Sequence, residues 1–299
     1  MTFTVLVTGA TGQVGRELRR QPWAEGVQLV ACDRGELDIT NEHSVSSALT
    51  RHKPNLVVNA AAYTAVDKAE SEPAQAGAVN HVGPRLLAEG CAQLGVPLFH
   101  YSTDYVFNGR KPEPWREDDT PDPTGIYGHS KWLGERAVQS RVREHLILRV
   151  AWVFSGHGHN FVRSMLRLGA RHETLRVVDD QQGGPTAARD IARATRQLIE
   201  QYRASGALPW GLYHFAGRPA VTWHGFATEI FDIARPLTAL KVERVEPIST
   251  AEFPTEAERP ANSVLDCTRF EHAFGLAQPD WRPALEQAVR ELLAEQPPQ

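Results

Sequence analysis

Cysteine is scarce: Cys32, Cys91 and Cys267 are the three present in 299 residues, far apart and without metal-ligand spacing. That excludes a disulfide framework and a cysteine-built zinc site, and it fits a reducing compartment. A basic surplus is also lacking. With a net charge of -4 the chain offers no polyanion-binding surface, and nucleic acid is not expected as a partner. No apolar run approaches the roughly 20 residues needed to cross a bilayer, so no membrane partner is expected. The opening Met1-Thr2-Phe3-Thr4-Val5-Leu6-Val7 has neither a basic n-region nor a cleavage site, and reads as a buried first strand, not a signal peptide. The expected compartment is the cytoplasm.

What is present is an ordinary globular balance, 41% apolar and 23% charged, on a chain long enough to bury a core unaided. The first half alternates apolar runs with amphipathic stretches, the pattern of a parallel sheet covered on both faces. The runs are Thr4-Val5-Leu6-Val7-Thr8, Val27-Gln28-Leu29-Val30-Ala31, Leu56-Val57-Val58-Asn59, Leu98-Phe99-His100-Tyr101 and Leu146-Ile147-Leu148-Arg149-Val150. Beyond residue 150 the regularity fades. Helices are expected at 161–170, 187–202, 223–234 and near the end, where Leu285, Ala288, Val289 and Leu292 fall in register. A strand is expected at 211–215, and the Pro-, Glu- and Thr-rich stretch 247–260 reads as a loop. The tail Glu295-Gln296-Pro297-Pro298-Gln299 reads as a frayed end. The expected fold class is α/β: a Rossmann-type doubly wound parallel sheet with a smaller C-terminal substrate-binding lobe. Residues 1–154 form the NAD(P)-binding domain, with part of 175–215 returning to it, and 155–299 form mainly the second lobe.

Directly after the first strand comes Gly9-Ala10-Thr11-Gly12-Gln13-Val14-Gly15, opening a helix. Glycines there allow a tight turn and close backbone approach to a pyrophosphate, and the helix N-terminus offers N–H groups and positive dipole to the anion. Asp33, closing the second strand, stands about 20 positions on, where an acidic residue takes the adenosine ribose hydroxyls. Arg34 beside it suits a 2′-phosphate, so NADH and NADPH both stay open.

Tyr127 and Lys131 form a Tyr-x-x-x-Lys pair, and their spacing puts both side chains on one helix face. A phenol titrating near about 10 is a poor acid–base group until a neighbouring ammonium stabilises its anion. Thr103, at the carboxyl end of the fourth apolar run, is placed to bond a substrate oxygen beside Tyr127.

These motifs resemble the extended short-chain dehydrogenase/reductases, and among them the dTDP-4-dehydrorhamnose reductase family. The stretch from Asn59 to Glu70 (NAAAYTAVDKAE), Ser102-Thr103-Asp104-Tyr105-Val106-Phe107-Asn108-Gly109, Arg149-Val150-Ala151-Trp152-Val153-Phe154, Asp180-Gln181-Gln182-Gly183-Gly184-Pro185-Thr186 and Arg259-Pro260 carry the likeness across nearly the whole chain. The resemblance implies reduction of the C4 keto group of dTDP-4-dehydro-L-rhamnose to dTDP-L-rhamnose with NADPH or NADH, the last step of dTDP-rhamnose biosynthesis. It implies Gly12, Gln13 and Val14 along the cofactor phosphates, Asp33, Asp38 and Ile39 near the adenosine, and Ala62, Tyr63 and Thr64 along its middle. Tyr127 is the implied proton donor, and Lys131 holds the nicotinamide ribose while lowering the Tyr127 pKa. Thr103, Asp104 and Trp152 are to touch the sugar, and Arg259 the diphosphate.

Some members of that family pair through a Mg²⁺ held by glutamates from both subunits. Glu17 fits one such position, but the second reads Arg189, and a cation opposes metal binding. No metal is therefore expected, and a homodimer stays open. His157 and His159 lack a third ligand nearby in sequence and read as a solvated loop. A dehydratase would need a glutamate where Tyr105 follows Thr103-Asp104. A nucleotide-sugar epimerase, or a non-catalytic regulatory subunit that keeps the cofactor site, is the alternative reading.

Overall fold

Strands covered on both sides need apolar side chains at successive positions, and five early segments supply them. The computed structural model describes residues 2–295. Within them β1 (Phe3–Thr8), β2 (Val27–Cys32), β3 (Leu56–Asn59), β4 (Leu98–Thr103) and β5 (His145–Val150) lie in one sheet. A sixth strand, Gly211–His214, joins from late in the chain and lies beside β5. The order across the sheet is Gly211–His214, β5, β4, β3, β1, β2, and every pairing is parallel. The chain runs outward from β1 to β2 and then crosses back to β3. The crevice between β1 and β3 is therefore where such a sheet takes a ligand.

Alternate residues feed the two faces. Val5 and Val7 meet Leu18, Ile191, Leu198 and Phe270 on one side, whereas Leu6 and Val57 meet Val45, Leu49, Leu87 and Val138 on the other. Helix Ala188–Ser205 thus covers the first face, and Gly206, at φ +75°, ends it in the left-handed conformation that suits glycine. A separate apolar cluster gathers Phe154, Val162, Leu166, Phe226, Phe231, Trp281 and Leu292, from helices Phe161–Gly169, Trp223–Ala234 and Trp281–Ala294.

One segment departs from the sequence expectations. Pro247 and Ile248, expected in a loop, complete the strand Arg244–Ile248, which pairs in parallel with Thr174–Val178. The rest of that stretch holds only the 3-10 turn Thr250–Glu252, closed by reciprocal bonds between Ser249 and Glu252. Between β3 and β4 a π-helix, Ala78–Val82, leads into helix Gly83–Leu94. The expected fray of 296–299 lies outside the described residues. Among those described, no helix is long and apolar enough to cross a membrane.

Candidate active site

Gly9 sits at φ +68°, and a Cβ there would lie 2.6 Å from the Ala61 amide nitrogen, so only glycine fits the turn after β1. A Cβ on Gly15 would meet the Gly9 carbonyl oxygen at 2.2 Å, which seats helix Gln13–Arg20 directly on that turn. Gly12 is the N-cap, and no side chain caps the helix, so its first N–H groups remain an anion-binding end. Beside it lies a cavity of about 270 Å³ lined by Gly9, Thr11, Gly12, Arg34, Asp38, Ile39, Ala62 and Tyr63, all singled out from sequence. Leu37, Thr40, Ala60, Ala61, Gln75 and Val79 line it too. Ala60 and Ala61 belong to the motif from Asn59 to Glu70, whereas Gln75 and Val79 carried no local signal. The glycine cradle and uncapped helix end fit a dinucleotide.

Other predicted cofactor residues are placed differently. Asp33 Oδ1 accepts N–H bonds from Gly35 at 2.8 Å and Glu36 at 3.1 Å, an Asx turn that occupies it locally. Gln13 turns its side chain to Ser155 and Asn160, Val14 packs into the sheet core, and Thr64 is exposed beyond the cavity lining. Tyr63 is fixed by its backbone, which exchanges bonds with Asn80 of the π-helix at 2.8 and 3.0 Å. Its hydroxyl donates to Glu72, which pushes its pKa up to about 12.

Thr103, Tyr127 and Lys131 come together at the carboxyl end of β4. Thr103 ends the strand, donates its hydroxyl proton to Asp104 at 2.9 Å and accepts the Tyr105 N–H at 3.2 Å. Tyr127 and Lys131 ride helix Ile126–Arg141, which approaches closely because Gly128 leaves room for the Tyr105 carbonyl, 2.1 Å from where a Cβ would stand. The Tyr127 ring meets Tyr105 edge-on at 5.5 Å. Lys131 is buried and donates to the Tyr101 carbonyl at 2.6 Å. Burial lowers its pKa to about 8, with Glu135 acting the other way. The expected lowering of the Tyr127 pKa by Lys131 does not hold here. Burial pushes it up to about 12, the Thr103 hydroxyl lowers it, the Asp104 charge raises it further, and the lysine ammonium is engaged with the Tyr101 carbonyl.

Burial also raises Asp104 to about 6, against the hydroxyls of Ser263 and Thr103. A carboxyl whose folded pKa exceeds its unfolded value of about 3.9 adds stability below that value and loses it as pH rises through about 6. An Asp104→Asn protein is therefore expected to gain on the order of 2 kcal/mol against the parent between pH 4 and pH 7. Urea unfolding at both pH values measures this, and a pH-independent difference would show that Asp104 titrates normally.

Trp152, at the carboxyl end of β5, is held at φ +47° and stacks on Trp223 at 3.5 Å, so one face of the indole is covered. Arg259 donates to Asp67 at 2.7 Å, and its Nη1 is buried without a hydrogen-bond partner. Its charge acts on Tyr105, the neighbour of Tyr127. His157 corrects the expectation of a solvated loop: it is buried and bonded to Glu17 at 2.7 Å, while His159 is exposed. Glu17, also held by Arg20 at 3.0 Å, shares a cavity of about 20 Å³ with Arg189 and Glu291. A carboxylate already paired twice, beside a guanidinium, does not fit Mg²⁺. Among the described residues no group of three or more His, Cys, Asp or Glu is placed to hold a metal.

A family model, the RmlD substrate binding domain, matches residues 3–294. The dTDP-4-dehydrorhamnose reductase of Aggregatibacter actinomycetemcomitans is 44% identical over 284 residues, spanning 94% of this chain and 97% of its own. A crystal structure of a dTDP-4-dehydrorhamnose reductase from Clostridium acetobutylicum superposes with a TM-score of 0.90 at 37% identity, covering 97% of this chain and 100% of the other. That of Bacillus anthracis, in complex with NADP, gives 0.88 at 34% identity, covering 99% and 100%.

Proposed function

The chain belongs to the RmlD substrate binding domain family, that of the dTDP-4-dehydrorhamnose reductases, and from that premise we propose how its own residues carry out the reduction. It is an NAD(P)H-dependent oxidoreductase that converts dTDP-4-dehydro-L-rhamnose to dTDP-L-rhamnose. The observation that carries the reading is the meeting of Thr103, Tyr127 and Lys131 at the carboxyl end of β4, in a chain matched along its length by these reductases.

NADPH, when bound, supplies the hydride for the keto carbon. Its phosphates would be held at the glycine turn by the backbone N–H groups of the uncapped helix start, Gln13 and Val14. The Gly12 N–H is spent on the Gly9 carbonyl at 3.0 Å, and Asp38, Ile39, Ala62 and Tyr63 would line the cofactor's path. Tyr127 gives its phenolic proton to the substrate oxygen, and a pKa of about 12 keeps that proton in place at neutral pH. Lys131, anchored at Tyr101, holds a positive charge under the site. Thr103 and Asp104 orient the sugar, and the Trp152–Trp223 pair forms an apolar wall. Arg259, with one nitrogen free of protein partners, takes the diphosphate. We assign 188–205, which packs on the sheet, and 211–214, which extends it beside β5, to the cofactor lobe.

Arg34 lines the cavity while Asp33 is engaged in its own turn, which favours a 2′-phosphate over ribose hydroxyls. Arg34→Ala is expected to raise the KM for NADPH about ten- to a hundredfold, the range of a lost charged hydrogen bond, and that for NADH far less. Equal effects on both cofactors would remove Arg34 from phosphate recognition. The reaction itself is tested by following nicotinamide absorbance with dTDP-4-dehydro-L-rhamnose made in situ. Oxidation of either cofactor only when the sugar nucleotide is present supports the reductase. Tight nucleotide binding without oxidation favours the epimerase or regulatory alternative.

A further inference from the structure

Gln13 and Glu17 lie one helical turn apart on the helix that follows the glycine turn, so their side chains share a face. Both cross to the segment 155–160. The Ser155 hydroxyl lies 2.8 Å from Gln13 Oε1 and 2.6 Å from the His157 carbonyl, with one proton to donate between them. Asn160 Nδ2 donates to Gln13 Oε1 at 3.1 Å and to the carbonyls of Ser155 and His157 at 3.0 and 3.2 Å. Asn160 Oδ1 meanwhile caps helix Phe161–Gly169 by accepting the Arg163 N–H at 3.1 Å. His157 Nε2 donates to Glu17 Oε1 at 2.7 Å. Glu17, Ser155, His157 and Asn160 are all buried.

A buried polar cluster whose members are mutually satisfied is rigid, because each broken bond leaves a desolvated group behind. This one joins two places that need a fixed relation. Gln13 is the residue next to Gly12, at the N–H-bearing end of the helix. Segment 155–160 follows strand Val153–Phe154, which itself follows Trp152. The cluster thus ties the helix that starts at the glycine turn to the segment after Trp152.

We propose that this cluster couples occupancy of the cofactor turn to the placement of the sugar-facing lobe, with Gln13 and His157 as positioning residues. The inference rests on the glycine turn holding NADP. Cofactor and sugar nucleotide then strengthen each other's binding, by the same factor in both directions.

NADP⁺ affinity is measured by calorimetry with and without saturating dTDP, in the parent and in Gln13→Ala, His157→Leu and His157→Gln. In the parent, dTDP is expected to tighten NADP⁺ on the order of tenfold, and in Gln13→Ala and His157→Leu by less than about twofold. His157→Gln, which keeps an N–H for Glu17, retains most of the coupling. A merely structural role would lower the melting temperature of the variants and leave the coupling intact. Coupling that persists in both disruptive variants, or that is missing from the parent, overturns the proposal. A parent that binds no NADP⁺ at all removes the functional reading instead. Should the variants not fold, hydrogen exchange on the parent decides: NADP⁺ alone is to slow amide exchange across 155–163, and unchanged exchange there refutes the coupling.

Discussion

Replacing Tyr127 by phenylalanine is expected to lower kcat by about 10²–10⁴-fold, the range of a lost positioned acid, while KM for the sugar nucleotide changes little. The substitution is clean because the ring does its packing through carbon. It meets Tyr105 edge-on, and the Ser130 hydroxyl bonds the backbone carbonyl of residue 127, not the phenol. Only the oxygen that lies beside Thr103 disappears. Substrate-dependent NADPH oxidation by the purified variant measures the loss. A variant within about threefold of the parent, well short of that range, would falsify the proton-donor role.

The largest effect on stability is expected at Arg149. Its guanidinium forks onto Glu135 at 2.8 and 2.7 Å, with both side chains almost wholly buried beneath the site. It also lies 4.9 Å from the Phe107 ring and 3.5 Å from His214 Nε2. Burial, with the guanidinium charge next, pushes the pKa of His214 down to about 3, so the imidazole stays neutral. Arg149→Met removes the cation and leaves a carboxylate stranded in the core, at a cost of about 3–5 kcal/mol. A chain of this size loses roughly 2–4 °C of melting temperature per kcal/mol, so a fall of about 10 °C is expected. The double variant Arg149→Met/Glu135→Leu removes both charges and is expected to recover most of the loss. Equal melting of parent and single variant would mean that the pair carries no net stability.

The main elements and the chemistry were legible in the sequence for different reasons. β1 to β5 announce themselves because strands covered on both faces carry mostly apolar runs, even though β2 lies at the sheet edge with Gln28 exposed and β4 and β5 include His100 and Arg149. Tyr127 and Lys131 announce themselves because four residues is one helical turn. What stayed hidden depends on partners distant in the chain. Strands Thr174–Val178 and Arg244–Ile248 are half-exposed, so Arg176 and Glu246 break the apolar pattern, and only their pairing makes them strands. His157 reads as a polar loop residue until Glu17 is brought to it. Asp33 stands in the expected place, but the Gly35 and Glu36 amides directly after it claim its carboxylate oxygen. Trp152 was recognisable as an aromatic at the site, whereas its cover by Trp223 was not.

The position of Gly211–His214 at the edge of the sheet bears on how the molecule is made. Until that strand and helix Ala188–Ser205 have left the ribosome, β5 presents an open ladder of backbone groups and one sheet face lacks its lid. The proposed catalytic residues are encoded by residue 131, yet the surface that carries them stays adhesive for some eighty residues more, at about 5–20 residues per second. A fragment cut at the apparent lobe boundary would keep that adhesive edge permanently, so the cofactor half is an outcome of the whole chain and not a part that can be taken from it.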